Sequence, residues 1–237
     1  MVKRPRKTLA RTLNRSTAGS PLMLVVVLFA PALVAFHHFA SERETGQITL
    51  ILPVAEVAEV AEAIGAARPD ELVKIFTVVT SRRPDISDAE AWRVSQVILE
   101  ESAKRHLDPM MVLAVIQVES GFQYTTVSPM GARGIMQIMP ETGKFLTETL
   151  SHEYGLHPAS FRPESLDEPL LNIRLGVYYL HDLTKQFNSL NLALLAYNAG
   201  PAEIQNRLEN NLTLSDEYTT MVFDAYHSFK KSQPPTF

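Results

Sequence analysis

"DPMMVLAVIQVESGF", residues 108–122, is an apolar run with helical signals at both ends, and it closes on a carboxylate. Asp108 followed by Pro109 is a helix start: the aspartate accepts from free amide groups, and a proline at the first position needs no amide partner. Gly121 marks the stop, because glycine readily takes the left-handed turn that ends a helix. Val112, Val115, Ile116 and Glu119 fall at i, i+3, i+4 and i+7, one helix face. That face is expected to look inward, which puts Glu119 at the end of a buried stripe. A helix C-terminus carries partial negative charge, so an acid in the last turn is mildly unfavourable. Taken alone, it reads as a solvated helix-end glutamate.

Helical signals continue on both sides. Asp88 can cap a helix to about His106, with Val94, Val97, Ile98 and Trp92 facing inward. "FQYTTVSPMGA" (122–132) reads as a loop, and "RGIMQIMPETGKFLTETL" (133–150) as renewed helix with a turn at Met139-Pro140. Residues 148–168 read as a surface excursion. Segments 169–187, 190–200 and 215–229 read as three further helices, with Pro201 opening another between them. Strand signals are few, so the fold class is mostly α.

Composition narrows the function. The 237 residues carry 22 basic and 26 acidic side chains and no cysteine. Disulfides, thiolate metal sites and a lipid-modified N-terminal cysteine are therefore excluded. Six of the basic residues lie in positions 1–20 with no acid among them, so the remainder has 16 basic against 26 acidic groups. A body that acidic is a poor partner for nucleic acid. The basic start, the apolar run "PLMLVVVLFAPALVAF" (21–36) and the acidic "SERE" (41–44) follow the order of a secretory signal or an uncleaved anchor. No clear small-x-small cleavage site follows, which favours the anchor, although the apolar core is short for a span. The expected organisation is a basic cytoplasmic segment 1–20, a membrane anchor over 21–40 and a helical spacer over 41–84. A compact domain over 85–237 follows, outside the inner membrane by the positive-inside rule. Secretion after signal cleavage is the alternative.

Four stretches carry a family resemblance: "ESGF" (119–122), "SPMGARGIMQIMP" (128–140), "NIRLGVYYL" (172–180) and "AYNAG" (196–200). In order and spacing they resemble the catalytic domain of lytic transglycosylases of the soluble (SLT) type. The resemblance covers roughly residues 85–209 and implies a goose-type-lysozyme-like helical fold. It implies cleavage of the β-1,4 bond between N-acetylmuramic acid and N-acetylglucosamine in peptidoglycan, leaving 1,6-anhydro ends. It places the catalytic acid at Glu119, where burial and the helix end would both hold the proton on. Ordinary glycosidases use two carboxylates, and no acidic residue lies between Glu119 and Glu141. The resemblance implies instead that the substrate's own 6-hydroxyl is the nucleophile.

The remaining site residues follow from the same motifs. Ser128 matches a serine that orients the substrate, or is simply a Ser-Pro turn residue. Gly134, Gln137, Met136 and Met139 would line the cleft, with core packing the alternative for Met136. Tyr197 matches the tyrosine whose hydroxyl points at the acid, and Asn198 is a substrate contact or a helix cap. The family's C-terminal tyrosine would fall at Met221. No cofactor and no metal site is expected: the seven histidines show no metal-binding spacing. Expected partners are peptidoglycan glycan strands, the inner membrane through residues 21–40, and an envelope machine of unknown kind. A lysozyme-like hydrolase of the same fold and a non-catalytic glycan-binding scaffold are the rival readings.

Overall fold

The chain divides into two units, Met1–Pro53 and Val54–Phe237, of which the computed structural model describes residues 24–29, 32–37 and 69–231. In the first unit, β1 (Leu24–Phe29) pairs antiparallel with β2 (Ala32–His37), in register from Leu24↔His37 to Phe29↔Ala32. These two strands fall within the apolar run read as a membrane anchor, whose other residues lie outside the described ones. Its valines favour extended backbone. Among the described residues, no helix is long and apolar enough to cross a membrane. The basic segment 1–20 and the repeats of residues 53–67 lie outside the described residues.

The described residues of the second unit are mostly helical. In order come α1 (Pro69–Arg82), α2 (Asp88–Arg105), α3 (Pro109–Ser120), α4 (Pro140–Thr149), α5 (Ser151–Tyr154), α6 (Pro169–Phe187), α7 (Leu190–Ala199), α8 (Pro201–Glu209) and α9 (Glu217–Lys231). Two short 3-10 turns, Pro158–Ser160 and Pro163–Asp167, separate α5 from α6. The residue before α2, Ser87, caps it by accepting from Glu90 N, so the cap lies one position earlier than Asp88.

α3 is the axis of the unit. Asp108 Oδ1 accepts from Met110 N at 2.9 Å, and Gly121 closes the helix in the left-handed conformation. Met110 through Ile116 are all buried, so the expected single stripe is a whole circumference, as befits a helix packed on every side. α9 lies along it and ties both ends. Tyr226 Oη and Lys230 Nζ donate to Asp108 Oδ2 at the start, and Tyr218 Oη donates to Glu119 at the finish.

α1 lies upstream of residue 85 and packs on the helices that follow it. Leu72, Ile75, Val78 and Val79 form an apolar face that packs against α2, and all four are buried. Phe76 and Trp92 meet edge to face at 5.6 Å. A free spacer would leave that face in water; packing it removes the cost. Arg83 then pairs with Asp85 and donates to Phe122 O at 2.9 Å, fastening the end of α1 to the turn after α3.

The 148–168 excursion is likewise fastened. Arg105 of α2 pairs with Glu153, Tyr154 Oη donates to Glu101, and Leu166 is fully buried. Residues 133–139 are irregular rather than helical, and α4 starts only at Pro140. Short bridges Val127↔Arg133 and Arg133↔Ile138 hold this loop instead.

Candidate active site

Glu119 stands in the last turn of α3, half-buried, with Oε1 accepting from Tyr218 Oη at 2.5 Å. Burial pushes the carboxyl up to about 7, against a smaller opposing pull from the Tyr218 hydrogen bond. Burial and the neighbouring carboxylate push the Tyr218 phenol far above its ordinary range, so it remains a donor. Among the described residues no Lys, Arg or His forms an ion pair with Glu119, and no second carboxylate contributes to its electrostatics.

The tyrosine on the acid is not the one the motifs indicated. Tyr197 Oη donates to Met136 O at 2.9 Å instead of reaching Glu119. Its ring lies 5.4 Å from that of Tyr179, and the Glu119 charge helps to raise its phenol, so it stands beside the acid without bonding to it. Tyr218 was missed because the resemblance directs attention to Met221, which is exposed and one turn further on. The signal was present: Tyr218 and Val222, at i and i+4, share the inward face of α9, and both are buried.

The loop "SPMGARGIMQIMP" is built from the inside. Gly134 has φ +84°, and a Cβ there would meet Asn172 Nδ2 and Leu166 O at 2.2 Å. It is buried packing space, not a surface for a sugar. Met136 is fully buried against Gly176, where a Cβ would come within 2.6 Å of its sulfur. Its side chain belongs to the core, which corrects the cleft-lining expectation. Gln137, at φ +49°, spends its amide donors inside the loop, with Nε2 donating to Thr126 O and Gly134 O at 2.9 Å each.

Ser128 accepts from Ala132 N at 3.0 Å through Oγ, the turn reading of that residue. Met139 is exposed immediately before α4. Asn198 is exposed in the last turn of α7, while Gly200 (φ +89°) makes the bend into α8. Asn198 therefore does not cap the helix by a left-handed turn. It lines a cavity of about 280 Å³ with Tyr218, Met221, Glu203, Arg207 and Glu217. Tyr218 thus belongs to both the cavity and the acid.

Ser120 joins helix end to loop by donating from Oγ to Ile135 O at 2.7 Å. Among the described residues no three His, Asp or Glu side chains converge as a metal site requires. The chemistry on offer is that of one carboxyl group, half protonated near neutrality, beside a phenol donor. Such a group can give up a proton and take one back.

Comparison with known proteins adds a family. The family model "Transglycosylase SLT domain" matches residues 96–219. Over 141 residues the chain is 29% identical to the soluble lytic murein transglycosylase of Escherichia coli (strain K12), covering 52% of this chain and 21% of that protein. It is 35% identical over 99 residues to a transglycosylase of Enterobacteria phage PRD1, covering 42% of this chain and 32% of the phage protein. The chain thus spans about a fifth to a third of these relatives. The crystal structure of the 70 kDa soluble lytic transglycosylase from Escherichia coli shares the fold, with a TM-score of 0.51 at 22% identity over 75% of this chain and 33% of that one.

Proposed function

This chain belongs to the transglycosylase SLT domain family, and from that premise we propose that it is a peptidoglycan lytic transglycosylase with Glu119 as its single catalytic carboxyl group. The substrate is the β-1,4 bond between N-acetylmuramic acid and N-acetylglucosamine. Glu119 gives its proton to the glycosidic oxygen as the bond to the anomeric carbon breaks. The 6-hydroxyl oxygen of the same muramic residue then bonds to that carbon, and the Glu119 carboxylate takes the hydroxyl proton. No water is consumed, and the product is a 1,6-anhydro end. An intramolecular hydroxyl has a high effective concentration, so it outcompetes water. Tyr218 has a part in both halves: its hydrogen bond steadies the carboxylate between the two proton transfers.

What carries the reading is Glu119 itself, a half-buried helix-end acid held up to about 7 with a phenol as its partner and no second carboxylate acting on it. Glu119→Gln abolishes clearing of purified peptidoglycan while leaving the helical circular dichroism spectrum unchanged; retained clearing refutes the assignment. Mass spectrometry of the products distinguishes an anhydro end, lighter by one water, from the reducing end a hydrolase leaves. Ser128, Met139 and Asn198 are proposed substrate contacts at the surface of this site.

The wider organisation is part of the same proposal. Residues 1–20 stay cytoplasmic, residues 21–40 engage the inner membrane, and the catalytic unit, entered by Pro69 at the latest, works in the periplasm on glycan strands. The charge asymmetry between residues 1–20 and the rest supports this arrangement. Fractionation of the full chain with protease protection tests it: a soluble, fully protected chain in spheroplasts overturns it.

A further inference from the structure

We propose that Asn172, in the first turn of α6, is a positioning residue for Glu119, acting through the loop that joins them. This rests on the reading of Glu119 as the acid.

The Asn172 side chain is fully buried, and its carboxamide is spent on loop backbone from three directions. Nδ2 donates to Arg133 O at 3.0 Å and to Leu166 O at 2.8 Å, while Oδ1 accepts from Met136 N at 2.8 Å. Both amide protons and one lone pair are used, which fixes the orientation of the group. Gly134 is pressed against it so closely that no side chain fits between them. On its other side the same short loop meets the acid's surroundings. Ile135 O accepts from Ser120, the residue next to Glu119, and Met136 O accepts from Tyr197, whose phenol feels the Glu119 charge.

Peptide groups 133–136 are thus a bridge, held at one end by Asn172 and at the other by the two neighbours of the acid. The Arg133–Asp167 pair, with Nη2 and Oδ2 2.7 Å apart, grips the same segment from outside. If the carboxamide is removed, Met136 N and two carbonyls lose buried partners, and the loop must move to find others. A shift of about 1 Å at a reacting group costs on the order of a hundredfold in rate. The loop movement therefore shows in turnover rather than in binding.

The test uses the full chain and purified peptidoglycan, with Asn172→Ala, Asn172→Asp and a core control, Ile98→Ala, scaled to folded protein. The expected result is a fall in kcat of about tenfold to a hundredfold for N172A, with KM little changed and the control near wild type. N172D keeps the acceptor and loses the donors, and a buried carboxyl facing two carbonyls holds its proton at mild acidity. Its activity relative to wild type therefore rises between pH 7.5 and pH 5, whereas that of N172A stays flat. In parallel, carbon-13 titration of the Glu119 carboxyl shifts in N172A and not in the control. N172A within about twofold of wild type, with the Glu119 titration unmoved, overturns the proposal. Loss of fold in both variants also overturns it, by assigning Asn172 to stability alone. Failure of the acid assignment shows differently: E119Q turns over like wild type, and the titration then decides the positioning role by itself.

Discussion

Two glutamates of this molecule receive a phenol hydroxyl at the same 2.5 Å, Glu101 from Tyr154 and Glu119 from Tyr218. Their other neighbours differ. Glu101, fully buried on α2, has Lys104 at 3.2 Å and Arg174 at 3.8 Å, and Tyr154 in turn accepts from Arg105. Among the described residues Glu119 forms no ion pair, and burial raises it to about 7. One carboxylate is surrounded by positive charge and serves as a fastening. The other is left with a neutral donor and keeps its proton within reach of neutral pH. A fold can bury an acid either way, and the company it is given decides whether it holds structure or does chemistry.

The sharpest way to break this comparison is to neutralise each acid. Glu119→Gln is expected to cut turnover by about a thousandfold or more, assayed by release of soluble muropeptides. It should not lower stability. Folding raises the proton affinity of this group, so its contribution to stability is complete below its ordinary 4.5 and is lost as pH rises through about 7. At pH 8 the glutamine variant should therefore be more stable than wild type, by about 1–2 kcal/mol in urea unfolding. Glu101→Ala should do the reverse: a loss of about 3 kcal/mol from cations left without their partner, with turnover per folded molecule within a few-fold of wild type.

A subtler contrast lies in the phenols. Tyr218→Phe removes the hydrogen bond that lowers the Glu119 pKa. The alkaline limb of the rate profile, expected to fall through about 7 in wild type as the acid loses its proton, should move to higher pH, with turnover down about tenfold. Tyr154→Phe should leave that profile unchanged and cost about 1 kcal/mol in stability. If both phenol variants shift the profile alike, the distinction between the two acids fails.

Local chemistry was the legible part of the sequence. The Asp108-Pro109 start, the Gly121 stop and the helix at 169–187 are set by residues next to one another, and the structure has them as read. What depended on distant partners was less legible. α1 has a plain apolar face, but the partner it packs on, α2, is not written in its own residues. Residues 133–138 carry the apolar content of a helix, yet Asn172, thirty-six positions beyond Met136, takes the amide that a helix would use. Gln137 adopts φ +49° with no glycine to announce it. Glu119 lies in one of the four family-like stretches, whereas its hydrogen-bond partner Tyr218, ninety-nine residues away, lies in none of them.

α9 grips α3 at both ends: Tyr226 and Lys230 hold Asp108, and Tyr218 holds Glu119. The partner that tunes the acid and the clamp on the far end of its helix therefore arrive together, on a helix whose tyrosine lies ninety-nine residues beyond the acid. A nascent polypeptide halted before residue 217 already carries the glutamate but lacks its phenol donor. Competence then waits on the docking of α9, long after the carboxyl group itself has been made.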